Sequence, residues 1–529
     1  MICLQLSVFQ EPLFADPGLS RVVLKRFTGL PFRIKTTDDR KETLKINKKY
    51  FFCICSCHIF ITFVVRFFLN QTVRRRMKDF TKGSEAKQIF QFALPMLIGN
   101  VFMQLYQFAD TVIVGRFLGK EALAAVGAST PVVFLTIALV IGIGIGSSIV
   151  ISQYFGAKRY TRVTATCDTL FIFLFVAAIV ITVVGIAFSE SILRLMALPE
   201  EIVPMAKTYL QIYFSGSILL SGYNAVAAIL RGVGDSKTPL YFLIVSSILN
   251  IVLDLLFIAV FGLGVAGAAW ATVISQGVAF LLAVWYINRR NQVIRINLFR
   301  PKFDGEIFKQ CIRMGLPAGF QQTFLAVGML ALMGIVNGFG TDVIAAYSAV
   351  NRIDTFAALP VMNFSAALTT FVGQNVGAGK FRRIGRGLRA TLLMSLGTCL
   401  AINTALILGA NPLINVFTTD PAVIAIGHKY LLILNAFYLI FAVMITINGL
   451  LRGAGAAVFP MIVTLLSLWL VRVPAAAWLS GKMGCEGIWW AMPFGWTVGM
   501  VAVLTYYFSG KWKRKAVVRG REWRAMAEG

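Results

Sequence analysis

Four oxygen-bearing side chains lie inside long apolar segments of the sequence, where they could bind a proton or a small cation. Asn250 and Asp254 are four residues apart in the segment 238–261 and therefore share one face of a helix. Asp110 lies in the first apolar segment after Met77, and Thr272 lies in the sixth. Asp110, Asp254 and Thr272 lie at a similar depth from one membrane surface, about 10 Å at ~1.5 Å per residue. We therefore expect these side chains to meet in one helical bundle.

Carboxylates are rare inside a membrane because burying one costs roughly 2.5 to 3.5 kcal/mol on insertion scales. Such a residue is expected to face a water-filled cavity, where carboxylate, amide and hydroxyl oxygens can hold a hard cation or a proton. The four side chains therefore predict a proton or sodium site; a purely structural polar contact between helices is the alternative. Weaker candidates for this site or for substrate contact are Tyr209, Asn224, Arg352 and Asp354. The last two could instead pair with each other or with a cavity water.

The composition fixes the broad class of the protein. Hydrophobic residues make up 58% of the 529 residues, charged residues make up 14%, and the mean hydropathy is +0.77. These values are typical of a polytopic membrane protein and exclude an ordinary soluble domain. The net charge of +27 resides in short segments between apolar runs, where it orients helices, so we expect no nucleic-acid partner. The eight cysteines show neither metal-ligand spacing nor a paired framework, so we expect no metal other than sodium.

Twelve apolar runs follow Met77, and most reach the length of about 20 residues that a spanning helix needs. The predicted spans are 89–115, 122–152, 164–188, 204–230, 238–261, 265–287, 312–337, 343–374, 388–410, 428–451, 458–480 and 486–508. The loops on one side hold 28 Lys and Arg residues and the loops on the other side hold six. Because basic loops stay in the cytoplasm, we predict a multi-pass protein of the cell (inner) membrane in which both ends of the chain from Met77 are cytoplasmic.

The sequence also repeats itself at a near-constant offset. Gln153 recurs as Gln374, and the segment 230–234 recurs as 451–455, both 221 residues later. Six predicted spans separate equivalent positions, and because six is an even number the two halves share one membrane orientation. We therefore predict an all-α polytopic membrane protein whose twelve transmembrane helices form two six-helix lobes around a central cavity.

The acidic site breaks this repeat. At the 221-residue offset, an alanine or a valine takes the place of each of Asp110, Asn250 and Asp254. The ion site is therefore expected in the first lobe alone. The predicted divisions of the chain are an N-lobe over 77–290, a cytoplasmic linker over 291–310, a C-lobe over 311–510 and a basic cytoplasmic tail over 511–529.

Residues 1–76 do not match the pattern of the rest. They hold 14 Lys and Arg residues against 5 Asp and Glu residues, and their apolar run 51–70 is interrupted by His58 and Arg66. This run could be an extra span or an uncleaved anchor. We favour the alternative that the natural chain begins at Met77.

Motifs in both halves carry a resemblance to a known family. They comprise Pro95, Asp110-Thr111, Val114-Gly115, Gln153, Gly156-Ala157, Arg231-Gly232, Gly234-Asp235, Pro239, Asn250, Asp254, Gln374-Asn375 and Gly377-Ala378. Over about 87–508 the sequence resembles the MATE family, the multidrug and toxic compound extrusion transporters. The resemblance implies two lobes of six helices and export of organic cations in exchange for protons or sodium. The coupling site of its DinF-like branch is similar to the four oxygen-bearing residues above. The acidic residues of the NorM-like branch in the seventh and tenth helices are lacking, so we place the chain nearer the DinF-like branch.

The expected mechanism is alternating access, in which the two lobes rock about the cavity and expose it to each side in turn. The substrate would be an amphipathic cation held by apolar and aromatic walls near a carboxylate. We expect no cofactor apart from the coupling ion, H+ or Na+. The sequence shows no sign of oligomerisation, so we expect a monomer in the lipid bilayer.

The sequence leaves three alternatives to cation export. The nearest is a flippase for a lipid-linked anionic precursor, which would use a cationic cavity and for which Arg352 and Arg472 are the candidates. A channel would need a ring of equivalent filter residues, which the two halves do not supply. A membrane enzyme is disfavoured because the only histidines are His58 and His428 and no nucleophile clusters with a base.

Overall fold

The structure is a computed structural model that describes residues 78–196, 198–290, 296 and 301–518. In these residues the chain forms helices and no strand. The extension 1–76, with its apolar run 51–70 and the alternative start at Met77, lies outside the described residues. Residues 291–295 and 297–300 of the linker and residues 519–529 of the basic tail also lie outside them.

Six helices of the N-terminal half provide the first six spans. They are α1 (Glu85–Gly156), α2 (Tyr160–Leu195), α3 (Val203–Ser215), α4 (Ser217–Gly232), α5 (Lys237–Asp254) and α6 (Gly264–Arg290). Helix α1 contains two crossings, because Gly119 has φ 86° and ψ −172° and interrupts the helical path. Helices α3 and α4 form one crossing bent by 53°. Helix α5 continues into a π-helical turn, Leu255–Val260.

The C-terminal half repeats this arrangement. Its helices are α7 (Gly305–Asn337), α8 (Thr341–Gly377), α9 (Phe381–Leu408), α10 (Ala410–Asn415), α11 (Pro421–Ala436), α12 (Tyr438–Gly453), α13 (Val458–Leu465), α14 (Val473–Met483) and α15 (Glu486–Phe508). A π-helical turn, Leu466–Arg472, joins α13 to α14, and α11 with α12 forms one crossing bent by 51°. Counting α1 as two crossings, the described residues contain the twelve predicted spans in two six-helix halves. The predicted fold is confirmed.

The fourth and tenth spans are bent, which the apolar spans in the sequence did not indicate. The bends lie at Gly216 and Phe437, which are 221 residues apart. Gly216 has a serine on each side, and helices commonly kink at such Gly/Ser sites. The same offset relates Gly119 to Gly340, whose φ angles are 86° and 89°. Because glycine adopts positive φ at little cost, these two positions allow the chain to turn between spans. The repeat therefore extends to the backbone conformation.

Small residues allow the two lobes to approach closely. Gly142 and Gly146 of α1 face Gly319 and Gly315 of α7, and a Cβ at either α1 position would overlap the opposing backbone. This is the small-xxx-small pattern that brings membrane helices together. Gly144, the glycine between them, would make only an ordinary contact, at 3.6 Å from its nearest neighbour.

The lobes also meet at one end of the molecule, here termed the basic end, which carries residues 78–84, the loops 157–159 and 378–380, and the segment 511–518. Gln153, near the end of α1, connects the two lobes there. Its Nε2 donates to Gly453 O at 2.9 Å, and its Oε1 accepts from Val517 N at 2.7 Å. Gln153 therefore holds both the end of α12 and the segment that follows α15.

Gln374, the repeat equivalent of Gln153, lies in the second lobe and binds the first lobe in the same way. Its Oε1 accepts from Phe80 N at 2.9 Å, and its Nε2 donates to Gly232 O at 3.5 Å. Gln374 lies near the end of α8, and Gly232 is the last residue of α4. Each lobe thus contributes one buried glutamine that binds the last turn of a helix in the opposite lobe and the backbone of a segment at the basic end, 78–84 or 511–518.

The backbones of α1 and α8 cross at these glutamines. A Cβ at Gly156 would overlap Gln374 O, and a Cβ at Gly377 would overlap Gln153 O. Glu85, at the start of α1, adds an ion pair with α9, because its Oε1 lies 3.1 Å from Arg383 Nη1. Helix contact, paired glutamines and an ion pair together hold the lobes against each other at the basic end.

Candidate functional site

The site begins with α5, which carries two polar side chains into the interior of the N-terminal half. Asp235 stabilises the start of this helix, because its carboxylate accepts hydrogen bonds from Lys237 N (3.1 Å) and Thr238 N (3.0 Å). Asn250 and Asp254 lie on the last two turns, and both are buried. The apolar run thus forms a regular helix from its first turn to the polar pair.

The backbone changes immediately after this pair. The π-helical turn Leu255–Val260 begins directly after Asp254. Such turns are rare, occur mostly inside α-helices, and are frequent at functional sites, where they interrupt the α-helical hydrogen-bond pattern. The irregular backbone therefore coincides with the carboxylate that the sequence places inside the membrane.

Asp110 of α1 and Asp254 of α5 face each other, with their carboxyl groups within hydrogen-bonding reach. Ionised carboxylates only accept hydrogen bonds, so a bond between two of them requires a proton on one. Asp254 is fully buried and Asp110 is half-buried. Each also has a buried oxygen, Oδ1, without a hydrogen-bond partner in the described part of the chain. This acidic pair can therefore hold a proton or offer oxygens to a cation.

Asn250 connects the acidic pair to α6. With its amide oriented to satisfy both neighbours, Nδ2 donates to Asp254 Oδ2 (3.1 Å) and Oδ1 accepts from Thr272 N (3.3 Å). The Thr272 hydroxyl donates to Ala268 O, one turn earlier in α6, at 3.2 Å. The structure thus brings together the four residues that the sequence grouped, from three different helices.

Tyrosines border the acidic pair, and the sequence singled out only one of them. Tyr106 and Tyr209 lie within electrostatic range of both carboxyl groups. Tyr213 stacks on Tyr209, with ring centroids 6.2 Å apart. Tyr106 lies four residues before Asp110 and so shares its helical face, which is a signal that could have identified it.

The other three candidate residues lie elsewhere. Asn224 donates its side-chain amide to the carbonyl one turn earlier in its own helix, at 2.9 Å. Arg352 is exposed, and among the described residues it forms no ion pair with Asp354. Residues two apart do not face each other on a helix, which explains why this considered pairing does not form. Asp354 instead lies beside Tyr438 and Arg472 in the C-terminal half.

These three residues, Asp354, Tyr438 and Arg472, form a second polar cluster beside an aromatic stack. Tyr430 and Trp489 lie 4.1 Å apart between ring centroids, and Tyr430 lies within electrostatic range of Asp354 and Arg472. The sequence missed this cluster because its members come from three separate helical segments. Asp354 and Arg472 have opposite charges, so the cluster has no net charge.

The oxygen atoms at the acidic pair limit which ions it can bind. Two carboxyl groups with nearby amide and hydroxyl oxygens suit a proton or a hard cation such as Na+. Within the described ranges, no group of three or more His, Cys, Asp or Glu side chains could hold a metal ion. The arrangement therefore fits reversible binding of a small cation.

Known proteins resemble this chain over most of its length. A family model described as MatE matches twice, over residues 95–256 and 317–478. The probable multidrug resistance protein YpnP of Bacillus subtilis is 34% identical over 436 residues, which cover 82% of this chain and 97% of that protein. The probable multidrug resistance protein NorM of Thermotoga maritima is 30% identical over 443 residues, which cover 82% and 94%.

A solved structure agrees with these relatives. It is described as the outward-facing conformation of a multidrug resistance MATE family transporter of the MOP superfamily, and it matches with a TM-score of 0.77. Its sequence is 25% identical, and the match covers 86% of this chain and 100% of that chain. The two family-model matches fall one in each half, as the repeat predicts. The resemblance inferred from the sequence is confirmed: the chain belongs to the MATE family of multidrug efflux transporters.

Proposed function

We propose that this protein exports amphipathic organic cations from the cytoplasm in exchange for protons or sodium ions. The observation that carries the proposal is the pair of facing carboxyl groups, Asp110 and Asp254, buried in one lobe. A carboxyl pair of this kind changes its charge when it binds or releases a cation. Its position in the first lobe also supports assignment nearer the DinF-like branch.

The proposed mechanism is alternating access between the lobes. Ion binding can drive transport only if the ion binds one arrangement of the lobes more tightly than the other. The contacts at Gln153, Gln374 and Glu85 support an arrangement in which the basic end is closed. In the other arrangement these contacts would separate and the cavity would open toward the basic end.

The remaining assignments follow from the same proposal. The basic end would face the cytoplasm of a cell-membrane protein, in agreement with its excess of Lys and Arg. The N-lobe would extend over 77–290 and the C-lobe over 311–510, with the linker 291–310 between them. One chain contains both lobes and the acidic pair, so a monomer would suffice for transport.

A flippase for a lipid-linked anionic precursor is the second candidate function. It is favoured by Arg472, which has a buried Nε atom without a hydrogen-bond partner in the described residues. Asp354 lies beside this guanidinium and compensates its charge. A neutral cluster attracts an anion less than an isolated arginine would, so export of cations is the better-supported function.

Transport by the full-length protein in inverted membrane vesicles tests the proposal. A fluorescent lipophilic cation serves as substrate, and a proton or a sodium gradient is imposed separately. We expect uptake when one of the two gradients is imposed. That uptake should stop when an ionophore for the same ion dissipates the gradient. An uptake rate that is the same with and without either gradient would contradict ion exchange. Transport of a lipid-linked anion with no cation uptake would favour the flippase.

Asn250→Ala is expected to change the ion affinity of the acidic pair while leaving both carboxyl groups in place. The change removes the amide that donates to Asp254 Oδ2, and a hydrogen bond to a charged group contributes about 1.5 to 3 kcal/mol. Because the lost donor favours the charged carboxylate, the proton concentration that gives half-maximal transport should fall about tenfold if the ion is H+. If the ion is Na+, which binds only the charged carboxylate, the corresponding sodium concentration should rise about tenfold. Asn224→Ala is the matched control, because that amide bonds only within its own helix. Equal shifts in both variants would contradict a specific role for Asn250.

A further inference from the structure

A cavity of about 270 Å³ lies at the basic end, and none of its lining residues belongs to the acidic pair or its neighbours. Its wall combines the end of α1 and the start of α2 with the first turns of α7 and the segment 515–518. The charged residues that line it are Arg159, Arg162, Arg313, Lys515 and Glu306. Four cationic side chains therefore surround one space with a single acidic side chain.

Among the described residues, Arg162 is the one cation of the four whose charge is compensated. Arg162 Nη1 lies 3.0 Å from Asp304 Oδ2 and 3.5 Å from Glu306 Oε2. Arg159, Arg313 and Lys515 form no ion pair with other residues in the described part of the chain, and all three are exposed. Three positive charges thus remain available around the cavity.

Part of the wall is fixed by hydrogen bonds between side chains. The Tyr154 hydroxyl donates to Gln310 Oε1 at 2.8 Å, and Gln310 Nε2 donates to Glu306 Oε1 at 3.4 Å. The cavity is close to the lower limit of about 300 Å³ for small-molecule sites. Arginine side chains bind phosphate oxygens through paired, charge-assisted hydrogen bonds. Size and charge therefore match a phosphate or diphosphate group.

We propose that this cavity binds a phosphate-bearing anion, either a phospholipid head group or a soluble phosphate compound, and that the bound anion stabilises contact between the lobes at the basic end. Arg159 lies in the first lobe, Arg313 lies on α7 of the second, and Lys515 lies in the segment after α15. An anion that touches all three binds best when they are together, so it favours this arrangement of the lobes.

The segment after α15 links the cavity to the contact between the lobes. Val517 lines the cavity and also donates its backbone N–H to Gln153, which binds Gly453 of the opposite lobe. Anion binding at Lys515 would hold this segment in place and so preserve the Gln153 contacts. The binding goes beyond the proposed exchange of ions, and its test does not depend on transport.

Thermal unfolding of the purified full-length protein measures this binding. Pyrophosphate is titrated in detergent against potassium chloride of equal ionic strength, which accounts for general screening. In a second arm, nanodiscs of phosphatidylcholine are compared with nanodiscs that also contain phosphatidylglycerol. We expect at least one probe to raise the unfolding temperature. An effect of the lipid alone identifies a head group as the ligand, and an effect of pyrophosphate identifies a soluble phosphate.

Two charge-matched variants test the location. Arg159→Gln with Arg313→Gln should raise the half-saturating concentration of the active probe at least about tenfold. Arg382→Gln with Arg389→Gln removes two exposed arginines of α9, outside the cavity, and should leave that concentration within about twofold. The change in unfolding temperature is measured against the same variant without the probe. Differences in basal stability between the variants therefore do not affect the comparison. No stabilisation of the wild type by either probe, or equal weakening in both variants, overturns the proposal.

Discussion

Replacing Asp254 with asparagine is expected to abolish gradient-driven transport of a cationic substrate. The amide has nearly the size of the carboxyl group and can still form hydrogen bonds, but it carries no charge and does not take up a proton. The ion then loses its preference for one arrangement of the lobes, and without that preference no coupling remains. We expect the gradient-dependent uptake of a fluorescent cation in inverted vesicles to fall at least about 100-fold, or ~2.7 kcal/mol at 1.36 kcal/mol per tenfold.

Two controls separate lost coupling from lost folding. Asp342→Asn removes an exposed carboxylate from the first turn of α8 and should transport at the wild-type rate. Asp254→Asn itself should still bind the fluorescent cation, which fluorescence polarisation of the purified protein measures. Full gradient-dependent transport by Asp254→Asn would show that coupling occurs elsewhere, and Asp354 would be the next carboxylate to replace.

The facing geometry of the acidic pair leads to a further prediction. If Asp110 and Asp254 share one proton or one ion, Asp110→Asn should cause a loss similar to that of Asp254→Asn. The double variant should then be no worse than either single variant, because residues that act as a unit have strongly non-additive effects. Losses that multiply in the double variant would instead indicate two separate ion sites.

The sequence predicted the spans and the repeat because both are local or periodic properties. Apolar run length determined the crossings, and the 221-residue offset seen at Gln153 and Gln374 also relates Gly119 to Gly340, whose φ angles are both positive. The spacing of Asn250 and Asp254 placed them on one helical face. The depth of Asp110, counted from the end of its span, was enough to group it with them, since spans of similar length cross the same bilayer.

Other features depend on tertiary packing and left little trace in the sequence. The π-helical turn after Asp254 has no recognised residue pattern in its apolar segment. Closeness in sequence suggests Arg352 as a partner of Asp354, yet the neighbours of Asp354 in the structure are Tyr438 and Arg472. The roles of Gln153 and Gln374 were also missed: their repeat was visible, but their binding partners lie in the opposite lobe.

Gly156→Ala is expected to prevent the basic end from closing, because Gly156 lies at the contact between the backbones of α1 and α8. Its added Cβ would overlap Gln374 O, which is backbone and cannot move aside as a flexible side chain can. Overpacking of this kind typically costs 1–3 kcal/mol or more, so the closed arrangement should become about tenfold to 100-fold rarer. Alanine is also the better helix former, so reduced helix propensity cannot explain a loss.

Uptake of a fluorescent cation should therefore fall at least about tenfold in Gly156→Ala, and also in its repeat equivalent Gly377→Ala. Spin labels at Lys158 and Arg382, on exposed positions of opposite lobes, should report a longer mean distance than in the wild type. Gly385→Ala is the matched control, because a Cβ there has no neighbour within 4 Å. Slow transport with an unchanged label distance would place the defect outside lobe closure, whereas wild-type transport by Gly156→Ala would show that transport does not require this backbone contact.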